Sequence, residues 1–525
     1  MTLPPPPGSI SRAPAQAVAP RSSVKFDDDQ MAVIECSSKN IVVEAKAGSG
    51  KTTTAEGYTA ARKSSNFLYV CFGKKNQEEA KARFGPHVEC RTGHSLAYEA
   101  VGYKFKDQIT MKWYPRILAT NMRLTDMRTA AILQGVLNQY FVSTDKALMP
   151  HHVEAVSKEW GLADSETGPL LVQAKLVWSK MQQVGSGVMM PPDAYVKIWA
   201  LSKPKLTKYT HIILDEAQDT APVFAQIIEE QTHAHKLLLG DRHQSIYLFR
   251  GAMNAMEEFA ASGSTVLQMP KTWRFGPQIA HIANELLGFF KNEDTKIIGA
   301  GPGSARRPEN KCVVLSRTNA GLYGEAAAVM GKNTHWVGGI EQYRVESLIE
   351  SYLLKADRRH EIKDPNFKAY GSWQHYVDTV AKTRDGEGRM LIKLNETHGR
   401  DIPYLVKCFK ANALATEAGA SLVLTTGHKG KGMDWDHVKI GDDFACLIKA
   451  LDVMKLSPLA PLSAAQAQEI NLLYVVATRA RHRLDLNTET KDFLRDIAMH
   501  RGSLQEARAK FAPHSTDSEQ PQPQP

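Results

Sequence analysis

Ala45-Lys46-Ala47-Gly48-Ser49-Gly50-Lys51-Thr52 is a turn of small residues that ends in a lysine and a hydroxyl. Backbone N–H groups around such a turn, at the start of a helix, cradle phosphate oxygens. Ala47, Gly48, Ser49 and Gly50 would supply that cradle. Lys51 would reach the β- and γ-phosphates, and the Thr52 hydroxyl, followed by Thr53, would hold Mg²⁺. Downstream, the apolar run Ile212-Ile213-Leu214 ends in Asp215-Glu216. A carboxylate at a strand end can hold the same Mg²⁺, and Glu216 one residue on can polarise an attacking water. Phosphoryl transfer also needs cations on the developing charge. Arg274 and Arg479, each at an apolar helix boundary, are candidates, although an arginine taken singly is more often a surface or ion-pairing residue.

These residues need strands and helices to carry them. Asn40–Ala45 reads as a strand and Lys51–Lys63 as a helix; Phe67–Phe72 reads as a strand and Lys74–Phe84 as a helix. His211–Leu214 and Lys236–Leu239 read as further strands, as do Thr265–Met269, Lys311–Ser316, Ser421–Thr425 and Arg483–Leu486. Such alternation predicts parallel α/β sheets. It is interrupted twice by helical patterns, which suggests two cores with one insertion each. The expected division is a tail at 1–23, a first core from 24–95 and 208–272, and its helical insertion at 96–207. A second core follows from 273–345 and 419–500, with a shorter insertion at 346–418 and a tail at 501–525.

The chain has 525 residues, 43% hydrophobic and 23% charged. That composition excludes collagen, coiled coil and wholesale disorder. No run approaches the length of a membrane span. Six cysteines without a C-x-x-C pair indicate neither a zinc ribbon nor a disulfide framework. The N-terminus lacks a secretion pattern, so a cytoplasmic protein is expected, nucleoid-associated if the source is bacterial or phage. The net charge of +9 permits a nucleic-acid partner without demonstrating one. His151-His152, His233/His235 and His335 have no evident companion ligands, so no metal is expected there. The basic start of the first insertion, Lys104 to Arg128, reads first as a solvated face. Trp160, Trp178, Trp199 and Trp373 read as core.

Taken together, the motifs resemble superfamily 1 DNA helicases of the UvrD/PcrA/Rep type, in particular the compact branch that contains the F-box DNA helicases. Phe72-Gly73-Lys74-Lys75 resembles F-T-N-K, and Thr92-Gly93-His94-Ser95 resembles T-F-H-S. Asp215–Asp219 matches DEAQD. Gly240–Ala252 resembles G-D-x-x-Q-S-I-Y-x-[WF]-R-G-A, and Trp273-Arg274 stands for Tyr-Arg. Thr426–Trp435 resembles T-x-H-x-A-K-G-L-E-[WF], and Tyr474–Ala480 resembles Y-V-A-x-T-R-A. The matches run in order from Gln30 to Leu486.

The resemblance implies two RecA-like domains with ATP and Mg²⁺ between them. Gln30 and Trp273 would bind the adenine and Asp434 the ribose; Gln244 would sense the γ-phosphate, and Arg274 and Arg479 would serve as fingers. Phe72, Lys75, Thr92, His94, Tyr247, Phe249, Arg250 and His428 would meet DNA, with Trp435 as a further stacking candidate. Lys46 stands where the family has Gly, able to crowd or to help the phosphates. The implied enzyme is a DNA-stimulated ATP hydrolase. It would move along single-stranded DNA, 3′ to 5′ by family habit, and open tailed or forked duplexes. The alternative is a translocase that strips proteins from single strands without processive unwinding. A P-loop kinase would not explain the arginines of the second core.

Overall fold

The computed structural model describes residues 25–247, 255–303, 311–444 and 462–511, with side chains described as far as Met499. The expected tail at 1–23 lies outside this range. Among the described residues the fold is α/β, with two six-stranded parallel sheets.

The first sheet comprises β1 (Asn40–Ala45), β2 (Phe67–Val70), β3 (Val88–Arg91), β4 (His211–Asp215), β5 (His235–Gly240) and β6 (Thr265–Met269). They lie in the order β3-β2-β4-β5-β1-β6. Ile41, Val42, Val43, Leu237, Leu238 and Leu239 are buried on both faces of this sheet, as helices covering a parallel sheet require. Since β4, β5 and β1 are neighbours, the loops after them share one edge: Lys51 follows β1, Asp215 ends β4 and Asp241 follows β5. Ligands of open α/β sheets sit at that carboxyl edge.

The chain between β3 and β4 is helical, and one apolar cluster joins it to the sheet through Ile132, Leu133, Val136, Leu137, Trp178 and Trp199. Asp126 caps helix Met127–Val142 by accepting from the Arg128 and Thr129 N–H groups.

A short ladder, β7 (Lys271–Thr272) with β8 (Ile298–Gly299), leads to the second sheet. This sheet comprises β9 (Cys312–Ser316), β10 (Thr334–Trp336), β11 (Ala413–Leu414), β12 (Leu422–Thr426), β13 (Trp435–Ile440) and β14 (Ala480–Asp485). Their order is β11-β10-β12-β9-β13-β14. Helices fill the chain between β10 and β11 and share an apolar cluster with the second sheet through Val314, Trp336, Leu422 and Leu424.

Three expectations need correction. The strand expected to reach Phe72 stops at Val70, because Gly73, with φ +85°, already turns the chain into helix Lys74–Arg83. Helix Thr488–Phe511 runs through the start of the tail expected at 501–525. Strands β3, β7, β8, β10, β11 and β13 were not anticipated. No described helix is long and apolar enough to cross a membrane.

Candidate active site and inter-core cleft

Gly50, in the left-handed region at φ +87°, is the N-cap of helix Lys51–Ala60. Gly48 also has positive φ (+76°), and a Cβ there would lie 2.6 Å from both Arg274 Cβ and Thr272 Oγ1. The Trp273 N–H donates to Gly48 O at 3.0 Å. The phosphate loop is therefore packed against the Thr272–Arg274 segment that leaves the first sheet. Gln30, buried under the loop, donates from Nε2 to Ser49 O at 3.3 Å. Thr53 Oγ1 accepts from Arg83 at 3.1 Å.

Lys51 Nζ lies 3.1 Å from Glu216 Oε1. Burial opposes the Lys51 charge, but Glu216, Asp215 and Asp241 hold its pKa above the ordinary lysine value. Burial likewise disfavours charge on Glu216, yet Lys51 and Lys431 draw its pKa well below the usual carboxylate range. Asp215 goes the other way: burial and then Glu216 push it up. Tyr69 donates its hydroxyl to Asp215. Glu216 sits at φ +54°, an uncommon setting for a non-glycine residue that turns its carboxylate toward Lys51. Asp215 and the Thr52 hydroxyl face a shared tyrosine, Tyr69. A hard oxygen donor pair that burial leaves short of positive charge fits a divalent cation.

The second sheet supplies the other wall. Arg479, buried, donates from Nη2 to Gln244 Oε1 at 3.2 Å and from Nε to Val475 O at 2.9 Å. Burial and then Arg274 push its guanidinium down to about 9, which leaves it charged at neutral pH. Arg274 bonds Asp434 Oδ2 at 3.1 Å and Thr478 O at 3.2 Å. Asp434 thus engages Arg274 and Arg481 here. Trp273 is 45% exposed, with Lys271 Nζ 4.6 Å from its ring centre, so its face is open to a planar partner.

Several residues of this cleft were quoted within motifs but given no role. Tyr474 donates to Asp241 Oδ2 at 2.8 Å and accepts from the Ala47 N–H at 3.3 Å. Asp241 also accepts from Gln244 Nε2 at 2.8 Å. Lys431 donates to Asp219 and, at 2.6 Å, to Gln244 O. For Tyr474 the signal was a hydroxyl inside the apolar run Leu472–Ala477.

Lys46 is turned away from solvent. It is 3% exposed and turns to Glu293 Oε2 at 2.7 Å.

Of the residues expected to meet DNA, three come together across the two cores. Phe72, 43% exposed, stacks on Tyr247 with ring centres 5.2 Å apart. Tyr247 donates to His428 O at 3.3 Å. Thr92 caps helix Gly93–Ala100, and His94 pairs with Asp193 at 2.9 Å beside an open groove of about 900 Å³ lined also by Tyr98, Tyr103 and Tyr195. Lys75 is exposed near Glu79. Phe249 and Arg250 lie outside the described residues. Trp435 is buried and donates to Glu417 at 3.3 Å, so it is core rather than a stacking platform.

The expectation that His151-His152 lack a companion ligand also needs correction, since Asp145 reaches both rings. The Met149 N–H donates to His152 Nδ1 at 3.0 Å. The same Nδ1 lies 3.1 Å from the Met149 carbonyl, and Nε2 faces Asp145 and Ser143 at 3.1 Å.

A family model described as an AAA domain matches residues 29–250. F-box DNA helicase 1 of Gallus gallus is 29% identical over 508 residues, covering 90% of this chain and 50% of that one. F-box DNA helicase protein 1 of Schizosaccharomyces pombe is 28% identical over 507 residues, covering 87% and 57%. A probable DNA helicase II homolog of Mycoplasma pneumoniae is 24% identical over 414 residues, covering 71% and 54%. The chain is a relative of the superfamily 1 helicases. It spans about half the length of the curated relatives it matches. In this chain the phosphate loop of the first sheet, the Arg274 segment between the sheets and Arg479 beside the second sheet lie together.

Proposed function

We propose that this chain is an ATP-dependent DNA helicase that moves along single-stranded DNA, 3′ to 5′. The observation that carries the reading is that Lys51, Glu216 and Gln244 on one core and Arg479 on the other converge through contacts of 3.1 and 3.2 Å. Lys51 is the phosphate lysine and Glu216 orients the attacking water. Gln244, held by Asp241 and touched by Arg479, reports on the γ-phosphate. Thr52 and Asp215 are the pair that would hold Mg²⁺, which supplies charge neutralisation when bound. Gln30 and the open face of Trp273 suit adenine, and Asp434 suits the ribose once released from Arg274.

Phe72, Tyr247 and His428 form an aromatic seam spanning both cores, and stacking on such a seam is worth about 1–3 kcal/mol per base without regard to sequence. Thr92, His94 and Lys75 flank it, and Phe249 and Arg250 extend it in sequence. Closure around ATP and release after hydrolysis would then shift grip from core to core. The domain division is 24–95 with 208–272, and 273–345 with 419–500, each core carrying its insertion.

ATP hydrolysis measured with and without single-stranded DNA, followed by unwinding of tailed duplexes of both polarities, tests the proposal. Stimulation by DNA with unwinding from a 3′ tail is expected. Hydrolysis indifferent to DNA would overturn it. Stimulation without unwinding would leave the protein-displacing translocase.

A further inference from the structure

Lys46 is an odd residue for a phosphate loop: a long cation in a run of small residues, yet only 3% exposed. Its Nζ lies 2.7 Å from Glu293 Oε2, and His243 Nε2 lies 2.6 Å from the same oxygen. Lys46 follows β1 and His243 follows β5, so both belong to the first core. Glu293 stands just beyond helix Pro277–Lys291, which packs through Ile279, Leu286, Leu287 and Phe290 into the second core's apolar cluster.

The carboxylate is fixed in place. Its other oxygen, Oε1, accepts the Thr295 N–H at 2.9 Å. Asn292, at φ +50°, ends the helix and directs Glu293 back toward the first core. Burial disfavours the Glu293 charge, but His243 and Lys46 hold its pKa well below the usual carboxylate range. No step of hydrolysis uses any of the three.

We propose that Glu293 is a positioning residue which, by clasping Lys46 and His243, ties the phosphate loop to the second core and sets how readily the cleft closes. Its bearing on catalysis rests on the ATPase reading above; the clasp itself does not. The physical argument is that parting the cores hydrates Lys46 and Glu293 separately, whereas in the closed form each depends on the other. Removing the Glu293 charge leaves Lys46 buried without its counter-charge, and removing Lys46 leaves Glu293 with His243 alone, so either change penalises the closed form selectively. A protein whose binding-competent form is scarcer binds its ligand more weakly in proportion.

The test compares the parent with Glu293→Gln, Lys46→Met and the double variant. Gln keeps an acceptor for the Thr295 N–H. Without nucleotide, small-angle scattering should give a larger radius of gyration for each single variant than for the parent. In steady-state hydrolysis with saturating single-stranded DNA, Glu293→Gln should raise KM for ATP about tenfold while kcat stays within about twofold. The double variant should lie closer to the parent than either single one, because it leaves neither charge of the pair buried alone. Unchanged scattering, or effects of the two substitutions that simply multiply, would overturn the proposal. If the parent hydrolyses no ATP, the enzymatic reading fails and the scattering comparison still decides the clasp. If Glu293→Gln does not fold, Lys46→Met carries the same comparison.

Discussion

Lys51 is held by carboxylates from two loops, and they depend on it in turn. Replacing it with Met should cut ATP hydrolysis about 10³-fold by removing a preorganised charge at the phosphates. It should also change the pH profile of stability. In the parent, Lys51 depresses the Glu216 pKa, so that group contributes stability above its unfolded pKa and loses it only as pH falls through the lower folded value. Without Lys51 the buried carboxylate keeps only the more distant Lys431, at 3.9 Å, as a cation, and protonating it gives relief. The gap in Tm between Lys51→Met and parent should therefore narrow as pH falls from about 8 to about 5; a gap constant with pH would contradict the pairing. Lys51, Asp215 and Glu216 were legible in the sequence because each sits in a local motif whose chemistry dictates residue type. Tyr474 was not, because its hydroxyl works on Ala47 and Asp241 across more than two hundred residues of chain.

Among the elements, the phosphate loop is shaped by two glycines and by the segment it touches. Gly48→Ala would combine left-handed strain of about 1–3 kcal/mol with a clash against Thr272 and Arg274. Calorimetry should show nucleotide binding weakened at least about a hundredfold, and unchanged binding would contradict the packing. Helix Pro192–Leu201 carries another measurable feature. Lys197 is buried, donates to Ser143 O at 2.8 Å, and burial lowers it to about 8. Between about pH 8 and the ordinary lysine value the unfolded chain binds more protons than the folded one, so this group makes stability rise with pH there. Lys197→Met should remove that component, giving a less positive slope of Tm against pH than the parent. The long apolar strands were legible because β1, β4 and β5 are buried on both faces. β10 spans three residues, and β13 reads Trp-Asp-His-Val-Lys-Ile, with polar residues interleaved because it is half covered. Such strands are defined by their neighbours in the sheet, which local sequence does not contain.

On the scale of the whole molecule, the cleft makes the two cores one thermodynamic unit when filled. A nonhydrolysable ATP analogue with Mg²⁺ at a hundred times its Kd should stabilise the chain by about 2.7 kcal/mol. Arg479→Ala should reduce that shift, because the second core would lose its contact with Gln244 and the ligand. An equal shift in both proteins would separate Arg479 from the nucleotide. The order of strands in the first sheet also matters while the chain is being made. Among the described residues β1 pairs only with β5 and β6, and both follow the helical stretch between β3 and β4. At roughly 5–20 residues per second, a ribosome would extrude β1 roughly 10–40 s before its first sheet partner. Throughout that interval a bare Ile-Val-Val strand must be shielded, which makes the nascent chain a client for whatever holdase guards the exit tunnel.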